Sequence, residues 1–298
     1  MSVYNCRAYL ADAIDSIRQQ TFTDFEFIVI DDGSTDGSSA VIDQAAAADP
    51  RLRVIRRPNT GLVRALNEGL AAARGEFIAR MDGDDLSVPE RFSIQLRFLQ
   101  ENPGCVAVSA AVDLIDPAGR RLKTIQPPLA HREIVNDLLV GNGGALVHAA
   151  GMYRAAALAA VGGYNAEFAG YGEDWDLFLR LSRRGILANL GTVLYRYRMH
   201  PHSCTSTLRP DQVGKYLAAI NRVRQTEGLE AIHTLAGGRS RPTLAAIHRL
   251  WAEWAIEGAQ YRTARYHSFR ALLRAPFDRA SWRFLKYCLS LTASRAGQ

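Results

Sequence analysis

Three aspartates stand within four residues in the stretch RMDGDDLS, which spans residues 80–87. Asp82, Asp84 and Asp85 repel one another, and burying them costs free energy unless a partner compensates their charge. Two interpretations are open: an acidic turn exposed to water, or a set of ligands for a cation. Because the later ligands of an EF-hand loop are missing, the carboxylates favour Mg²⁺ or Mn²⁺, which proteins often share with the phosphates of a ligand. The functional interpretation of this stretch is therefore a metal site that also holds a nucleoside diphosphate.

Two further acidic pairs could also do chemistry. Asp31 and Asp32 open the turn DDGSTDG directly after the apolar run FEFIVI, and Glu173 and Asp174 stand in GEDWDLFLRL. An ionised carboxylate can take a proton from an attacking hydroxyl. Acidic residues at the start of a helix also pair with the helix dipole, so a structural role for Glu173 and Asp174 stays open. Asp176 lies on another face of the predicted helix and is expected to be structural.

A basic face is predicted on TVLYRYRMH, residues 192–200, where strand alternation puts Arg198 and His200 on the same side. Their guanidinium and imidazole groups could hold a diphosphate, and His200 could also bind the metal. A polar face exposed to solvent is the alternative. Arg64, near the start of a predicted helix, could contact phosphates or could simply face water.

Hydrophobic periodicity predicts the elements that position these residues. The predicted helices cover 7–20, 39–48, 61–74 and 176–184, and the predicted strands cover 25–30, 52–55, 76–80 and 105–110. Strands that alternate with helices favour an α/β fold with a doubly wound, mainly parallel sheet. Such sheets bind ligands beyond the carboxyl ends of their strands, and both acidic turns lie there.

The composition is that of a globular protein. The 298 residues are 48% hydrophobic and 22% charged, and no apolar run reaches the roughly 18 residues that a membrane helix needs. The N-terminus has no basic start followed by an apolar core, so no secretion signal is expected. The four cysteines are far apart and form no CxxC pair, which indicates free thiols in a reducing cytosol. A cytoplasmic location follows from these features.

The charge is spread unevenly along the chain. Residues 1–238 hold 25 Lys+Arg and 27 Asp+Glu, a net charge of −2, whereas residues 239–298 hold 11 and 3, a net charge of +8. This basic end could meet an anionic lipid surface, a nucleic acid or an acidic partner, or could be a solvated helix face. The stretch GGRSRP, residues 237–242, is a predicted linker.

Six blocks occur in a fixed order: SVYN, QTFTDFEFIVIDDGSTDG, NTGLVRALNEGLAAARGEFIARMDGDD, GGYN, GEDWDLFLRLSRRG and YRYRMHPHS. Together they resemble a family 2 glycosyltransferase of the GT-A fold over about residues 1–208. The resemblance implies a catalytic domain over residues 1–208 and a basic helical region over residues 209–298. It implies an inverting, metal-dependent enzyme that moves a sugar from a nucleotide sugar, a UDP-sugar by preference, to a surface glycan or a lipid-linked acceptor. A processive synthase is not expected, because no QxxRW motif follows the ED block.

The resemblance also assigns roles to single residues. Asp84 would be the main ligand of Mn²⁺ or Mg²⁺, with Asp85 assisting and Asp82 reaching the ribose or the metal. Asp174 would be the catalytic base, preceded by Glu173, and a single base without a nucleophilic carboxylate implies inversion. The nucleotide would be held by Ser2, Tyr4, Asp31, Asp32, Arg64, Asp82 and Arg198, with His200 near the metal. Asp32 would accept a hydrogen bond from the base, and Tyr4 could stack on the base or be an ordinary buried aromatic.

The sequence indicates the acceptor-binding residues less clearly. His148 stands where relatives often carry HPS, and Gly163 and Tyr164 belong to GGYN, an acceptor loop in this interpretation; Gly162 and Gly163 could equally be turn residues. Relatives usually have further apolar residues before SVYN, so we expect a true start upstream of Met1. A sugar nucleotidyltransferase and a degenerate nucleotide-sugar-binding scaffold are the alternative functions. The basic end would place the enzyme at the inner face of the membrane, and no nucleic-acid partner is expected.

Overall fold

A computed structural model describes residues 1–168, 172–201, 210–233 and 242–293; at 210–212, 292 and 293 it describes the backbone only. Nine strands are present in the described chain: β1 Ser2–Val3, β2 Phe27–Asp31, β3 Leu52–Arg56, β4 Phe77–Ala79, β5 Leu86–Ser87, β6 Cys105–Ile115, β7 Arg121–Ile125, β8 Met152–Arg154 and β9 Ile186–Arg198. The α-helices are α1 Arg7–Arg18, α2 Ser38–Ala48, α3 Leu62–Ala72, α4 Arg91–Glu101, α5 His131–Leu139, α6 Ala155–Ala160, α7 Glu173–Ser182, α8 Pro210–Thr226, α9 Leu244–Glu257, α10 Tyr261–Arg274 and α11 Arg279–Ala293.

These elements form two compact units. The first comprises the described residues of Met1–Val112, Gln126–Arg196 and Pro210–Ala236, and the second those of Asp113–Ile125, Tyr197–Arg209 and Gly237–Gln298. The predicted linker at 237–242 lies outside the described residues except for its last position. Among the described residues, no helix has the length and apolar character needed to cross a membrane.

A parallel sheet of order β1-β2-β3 opens the first unit. All five residues of β2 are buried, as expected for a strand covered on both faces. Val3 pairs with Asp31, and an isolated parallel bridge joins Ser2 to Asp82. The two acidic turns therefore flank β1 at one edge, where the alternation of strands and helices predicts ligand binding.

The second sheet corrects one detail of the sequence prediction. Its order is β4-β8-β6-β9-β5, and β8 pairs antiparallel with both β4 and β6. The mainly parallel pairing expected for the sheet therefore holds for β1–β3, whereas β4 and β6 are separated by a short strand from much later in the chain. Periodicity reports which residues are extended, but not which distant strand will pair with them.

An apolar cavity of about 370 Å³ adjoins the first strand. Its lining includes Met1, Ile28, Ile30, Phe77 and Met81. The cavity therefore lies next to the residue that precedes β1 and is lined by parts of β2 and β4.

Helix α7 begins at Glu173, three residues before its predicted start at Asp176. The residue before it, Gly172, has φ of +71°, and a Cβ there would lie 2.7 Å from a ring carbon of Tyr216. Only glycine fits this left-handed, crowded position without strain. Trp175 in the first turn is fully buried and donates its indole N–H to the carbonyl of Leu138 at 2.7 Å. These contacts fix the first turn of α7, which carries Glu173 and Asp174.

The second unit is built from β7, which pairs with β6, and from helices α9, α10 and α11. Its core contains Leu122, Trp251, Ala255, Ala264 and Cys288. A buried polar pair stands beside this core, where His267 Nε2 lies 3.1 Å from Asp116. Cys6, Cys105 and Cys288 are free thiols, as predicted, and Cys204 lies outside the described residues.

Candidate functional site

The predicted acidic turn is a real cluster in three dimensions. One ligand atom from each of Asp82, Asp84 and Asp85 lies within 4.8 Å of the others. Asp85 is 1% exposed, whereas Asp82 and Asp84 are half-buried and open to an incoming ligand. Three carboxylates that converge in this way fit Mg²⁺ or Mn²⁺, which prefer oxygen ligands.

A thiol also lies beside the acidic turn. Burial and the neighbouring carboxylate of Asp84 raise the pKa of the Cys6 thiol to about 12. Cys6 is therefore a protonated thiol beside the acidic turn when no cation is bound.

Arg80 balances part of this negative charge. Its side chain is 9% exposed and forms an ion pair with Asp82, whose backbone N–H donates to the hydroxyl of Tyr195 at 3.3 Å. Burial raises the pKa of Asp82, Arg80 opposes this, and Asp84 adds to it. Arg91 is also fully buried and interacts electrostatically with Asp85. Two buried cations and three carboxylates therefore lie close together at this turn.

The Glu173–Asp174 pair lies within electrostatic range of this centre. Burial raises the pKa of Asp174, while the backbone N–H of Trp175, which donates at 2.7 Å, and the charge of Arg80 oppose the rise. Burial and the charge of Asp174 raise the pKa of Glu173 to about 7, and Arg80 again acts in the opposite direction. The predicted base and the predicted metal cluster therefore lie within electrostatic range of each other.

The first acidic turn is organised differently. The Asp32 carboxylate is 2% exposed and accepts hydrogen bonds from the backbone N–H groups of Thr60 at 3.2 Å and Gly61 at 2.9 Å, with Arg57 Nε at 3.1 Å. Asp31 accepts from the Ser39 hydroxyl at 2.5 Å and from the Ser34 backbone at 3.0 Å. Burial alone would raise the pKa of Asp31, but these hydrogen bonds hold it below its usual value. Both carboxylates are therefore already bound to the protein.

The other predicted nucleotide residues are spread over the same edge. Tyr4 is 50% exposed, so the interpretation as a buried aromatic is wrong, and its stacking role stays a prediction. Ser2 lies in β1 beside Asp82. Arg64 is exposed in the first turn of α3, as the water-facing alternative expects.

Arg198 and His200 belong to the second unit. Arg198 is 3% exposed and donates to the carbonyl of Pro117 at 3.0 Å, so the interpretation as a solvent-exposed face is wrong for this residue. His200 is half-buried. Their roles at the diphosphate and the metal stay predictions.

The acceptor-side candidates form a tight group. His148 Nε2 shares a hydrogen bond of 2.7 Å with the Tyr164 hydroxyl, and burial holds the pKa of His148 well below its usual range, with Arg80 adding to the effect. Asn67 holds both the backbone N–H and the carbonyl of Tyr164 at 2.8 Å. Gly162 and Gly163 have φ of +74° and +67°, as expected for turn residues. Asp176 pairs with Arg180, which confirms its structural role.

Sequence analysis missed three residues of the site, namely Arg57, Arg80 and Tyr195. A signal for Arg80 was present, because it stands two positions before Asp82 and an extended chain puts such residues on one side. Arg57 contacts Asp32, and Tyr195 contacts Asp82. Both contacts join distant parts of the chain, so no local sequence pattern predicts them.

Comparison with known proteins places this site in a family. The model of glycosyl transferase family 2 matches residues 1–161. The chain belongs to glycosyl transferase family 2. It is 35% identical over 202 residues to the putative glycosyltransferase EpsE of Bacillus subtilis, covering 66% of this chain and 71% of EpsE. It is 33% identical over 192 residues to the amylovoran biosynthesis glycosyltransferase AmsE of Erwinia amylovora, covering 63% and 70%.

Solved structures support the same fold. The S. aureus protein TarS, residues 1–349 in complex with UDP-GlcNAc, aligns with a TM-score of 0.60 at 17% identity, covering 97% of this chain and 78% of that one. The mannosyltransferase PcManGT from Pyrobaculum calidifontis, in complex with GDP-Man and Mn²⁺, aligns with a TM-score of 0.53 at 18% identity, covering 99% and 79%. The predicted GT-A fold and glycosyltransferase class are confirmed, and family membership gives the nucleotidyltransferase alternative no support.

Proposed function

We propose that this family 2 enzyme transfers a sugar from a nucleoside diphosphate sugar to an acceptor hydroxyl, with inversion of the anomeric centre. The observation that carries the proposal is the convergence of the Asp82, Asp84 and Asp85 carboxylates, with Asp174 within electrostatic range of them. A base and a diphosphate site must lie close together, because one sugar carbon bonds to the acceptor as it leaves the diphosphate.

Asp84, Asp85 and Asp82 are proposed to hold Mn²⁺ or Mg²⁺. The convergence of their oxygens within 4.8 Å supports this, as does the presence of Mn²⁺ with GDP-Man in PcManGT. When bound, the ion would neutralise charge that develops on the leaving diphosphate. Tyr4 and Asp32 are proposed to line the nucleoside end, and a UDP-sugar is the preferred donor class.

Asp174 is proposed to take the acceptor proton. As the acceptor oxygen bonds to the anomeric carbon, the bond from that carbon to the diphosphate oxygen breaks, and the proton passes to the carboxylate of Asp174. Burial raises the pKa of this group, which makes its carboxylate a stronger base than a solvated one. His148 and Tyr164, hydrogen-bonded to each other, are proposed to shape the acceptor side.

A surface glycan or a lipid-linked sugar is the proposed acceptor. The name of AmsE, a protein of amylovoran biosynthesis, supports a polysaccharide product. We retain residues 1–208 as the proposed catalytic domain and residues 209–298 as a basic region that meets the inner face of the membrane.

The replacement Asp174→Asn tests the proposal. It should lower the transfer rate on the order of 10²- to 10⁴-fold, the range for a lost general base, while Mn²⁺-dependent binding of a nucleoside diphosphate is retained. Calorimetry and a product assay with a panel of nucleotide sugars measure the two quantities. The exposed control Asp24→Asn should change neither. Undiminished transfer by the Asp174 variant would remove this residue as the base.

A further inference from the structure

Helix α10 of the second unit carries a stripe of exposed apolar side chains. Tyr266, Phe269 and Leu273 are 37%, 52% and 57% exposed, and their three- and four-residue spacing places them on one side of the helix. Phe277, in the turn between α10 and α11, is 97% exposed. These four residues are called the aromatic stripe below. Contiguous exposed apolar groups of this kind mark interaction sites.

The turn that presents Phe277 is braced rather than loose. The indole N–H of Trp282 donates to the carbonyl of Pro276 at 2.8 Å, and the backbone N–H of Asp278 donates to the carbonyl of Ala275 at 3.1 Å. Asp278 also pairs with Arg249. Hydrogen bonds and an ion pair therefore fix the turn in the conformation that exposes Phe277.

Cations border the aromatic stripe. On the wheel of α10, Arg265 lies on one flank of Phe269 and Leu273, and Arg270 and Arg274 lie on the other. The cations of α10 and α11 are Arg262, Arg265, Arg270, Arg274, Arg279, Arg283 and Lys286. The one acidic residue between positions 261 and 293 is Asp278, and Arg249 offsets its charge.

We propose that this face docks on an anionic lipid surface, with the aromatic stripe inserted at the level of the headgroups. Apolar residues on one helix face with basic flanks are typical of helices that lie in a membrane interface. Each cation near an anionic surface strengthens the attraction. A second copy of the chain would bring the same cations against these cations, and like charges repel. The lipid surface is thus the occupant that matches both the charge and the apolar groups.

This inference is independent of the transferase chemistry. It goes beyond a general attraction of basic residues, because it assigns insertion to named side chains. If both proposals hold, docking would keep the enzyme at the surface where a lipid-linked acceptor resides.

Vesicle sedimentation of the full chain tests the proposal. Wild type should bind vesicles of phosphatidylcholine with phosphatidylglycerol and should bind pure phosphatidylcholine roughly tenfold or more weakly, with loss of binding at high salt. The double variant Phe269→Ser/Phe277→Ser should bind the anionic vesicles roughly tenfold more weakly, because two inserted rings are lost. The matched control Val140→Ser/Ile186→Ser removes apolar residues that are 55% and 49% exposed in the first unit, and should bind like wild type.

Trp282 offers a second, direct readout. It is 48% exposed and is the most exposed of the four tryptophans; its indole contacts the turn that carries Phe277. Brominated phosphatidylglycerol should quench its fluorescence in wild type, and the Trp282→Phe variant should lose that quenching. Equal thermal unfolding of all variants shows that the fold is kept.

Three results would overturn the proposal. Equal vesicle binding by the Phe269/Phe277 variant and wild type would exclude the stripe. Binding without quenching would exclude insertion. Light scattering could also show that wild type is a dimer and the Phe269/Phe277 variant a monomer, with equal vesicle binding. That result would assign the face to a second copy of the chain.

Discussion

The two acidic turns of the first unit differ in what satisfies their carboxylates. At the first turn, Asp32 accepts two backbone N–H groups and pairs with Arg57, and Asp31 accepts from Ser39 and Ser34. At the second turn, three carboxylates converge and the buried cation Arg80 pairs with Asp82. Both turns follow strands of the first unit, β2 and β4, and both lie beside β1. The carboxylates of the first turn are bound by neighbouring protein groups, whereas those of the second turn converge on one another in a way that fits a divalent cation.

Acidic residues that directly follow a strand can therefore have different environments in the same protein. Hydrogen bonds hold the pKa of Asp31 low, whereas burial and Asp84 raise the pKa of Asp82 against the pull of Arg80. A low pKa marks a charge that the fold already uses. A carboxyl whose pKa is raised by burial and by a neighbouring carboxylate is found often at functional sites.

Of the substitutions in the two acidic turns, Asp84→Asn at the second turn should change activity most. Losing a metal ligand should lower transfer on the order of 10²- to 10³-fold, because charge on the leaving diphosphate is no longer offset. Stability without metal should fall less than in an Asp32 variant, because Asp84 is half-buried whereas Asp32 is 2% exposed. Steady-state kinetics and urea unfolding in EDTA measure the two effects. A large loss of stability would show that Asp84 stabilises the fold, as we expect for Asp32.

A loss of stability is expected for Asp32→Asn at the first turn. One partner of a buried ion pair is neutralised, and the hydrogen bonds to Thr60 and Gly61 are weakened, so unfolding free energy should fall by about 3 kcal/mol. Urea unfolding measures the loss. The exposed Asp24→Asn serves as the control, and a variant as stable as wild type would contradict the structural role of this turn.

Glu173→Gln should change the pH dependence of stability. The folded carboxyl titrates at about 7 instead of 4.5, so it stays protonated where the unfolded chain is already ionised. Its contribution to stability is greatest below the unfolded value and is lost as pH rises towards 7. The variant should therefore gain on the order of 2 kcal/mol over wild type at pH 8 and little at pH 4. Unfolding curves at the two pH values measure the difference, and an equal gain at both would contradict the raised pKa.

The smallest effect is expected for Ser39→Ala, which removes one hydrogen bond to Asp31. Stability should fall by about 1 kcal/mol, the usual net value of such a bond, with transfer unchanged. Thermal unfolding measures the stability of the variant, and the transfer assay measures its activity. A lower transfer rate in a variant that remains fully folded would indicate that Asp31 contacts the nucleotide.

Much of this site could be predicted from sequence because its parts are local. The helical spacing of Leu10, Ala13, Ile14 and Ile17 predicted α1, and all four are buried. The acidic stretch after β4 predicted the cluster, since three carboxylates within four residues cannot lie far apart. The order of the six sequence blocks then predicted the fold family, which the family model confirms.

The remaining features depend on contacts between distant parts of the chain. The pairing of β4 with β8 joins Ile78 to Tyr153, and no periodicity announces such a partner. The early start of α7 depends on the conformation of Gly172 and its packing against Tyr216. The role of Arg57 follows from a loop folded back on Asp32. Long-range geometry, rather than residue type, decides these points.

Calorimetric binding of a nucleoside diphosphate with and without Mn²⁺, compared between wild type and Asp84→Asn, shows whether the second acidic turn holds a cation together with the diphosphate. A cation held jointly by the second acidic turn and the diphosphate should make wild-type binding roughly tenfold or more tighter with Mn²⁺, and the variant should lose this gain. An equal gain in both proteins, or none in wild type, would contradict a metal site at Asp82, Asp84 and Asp85.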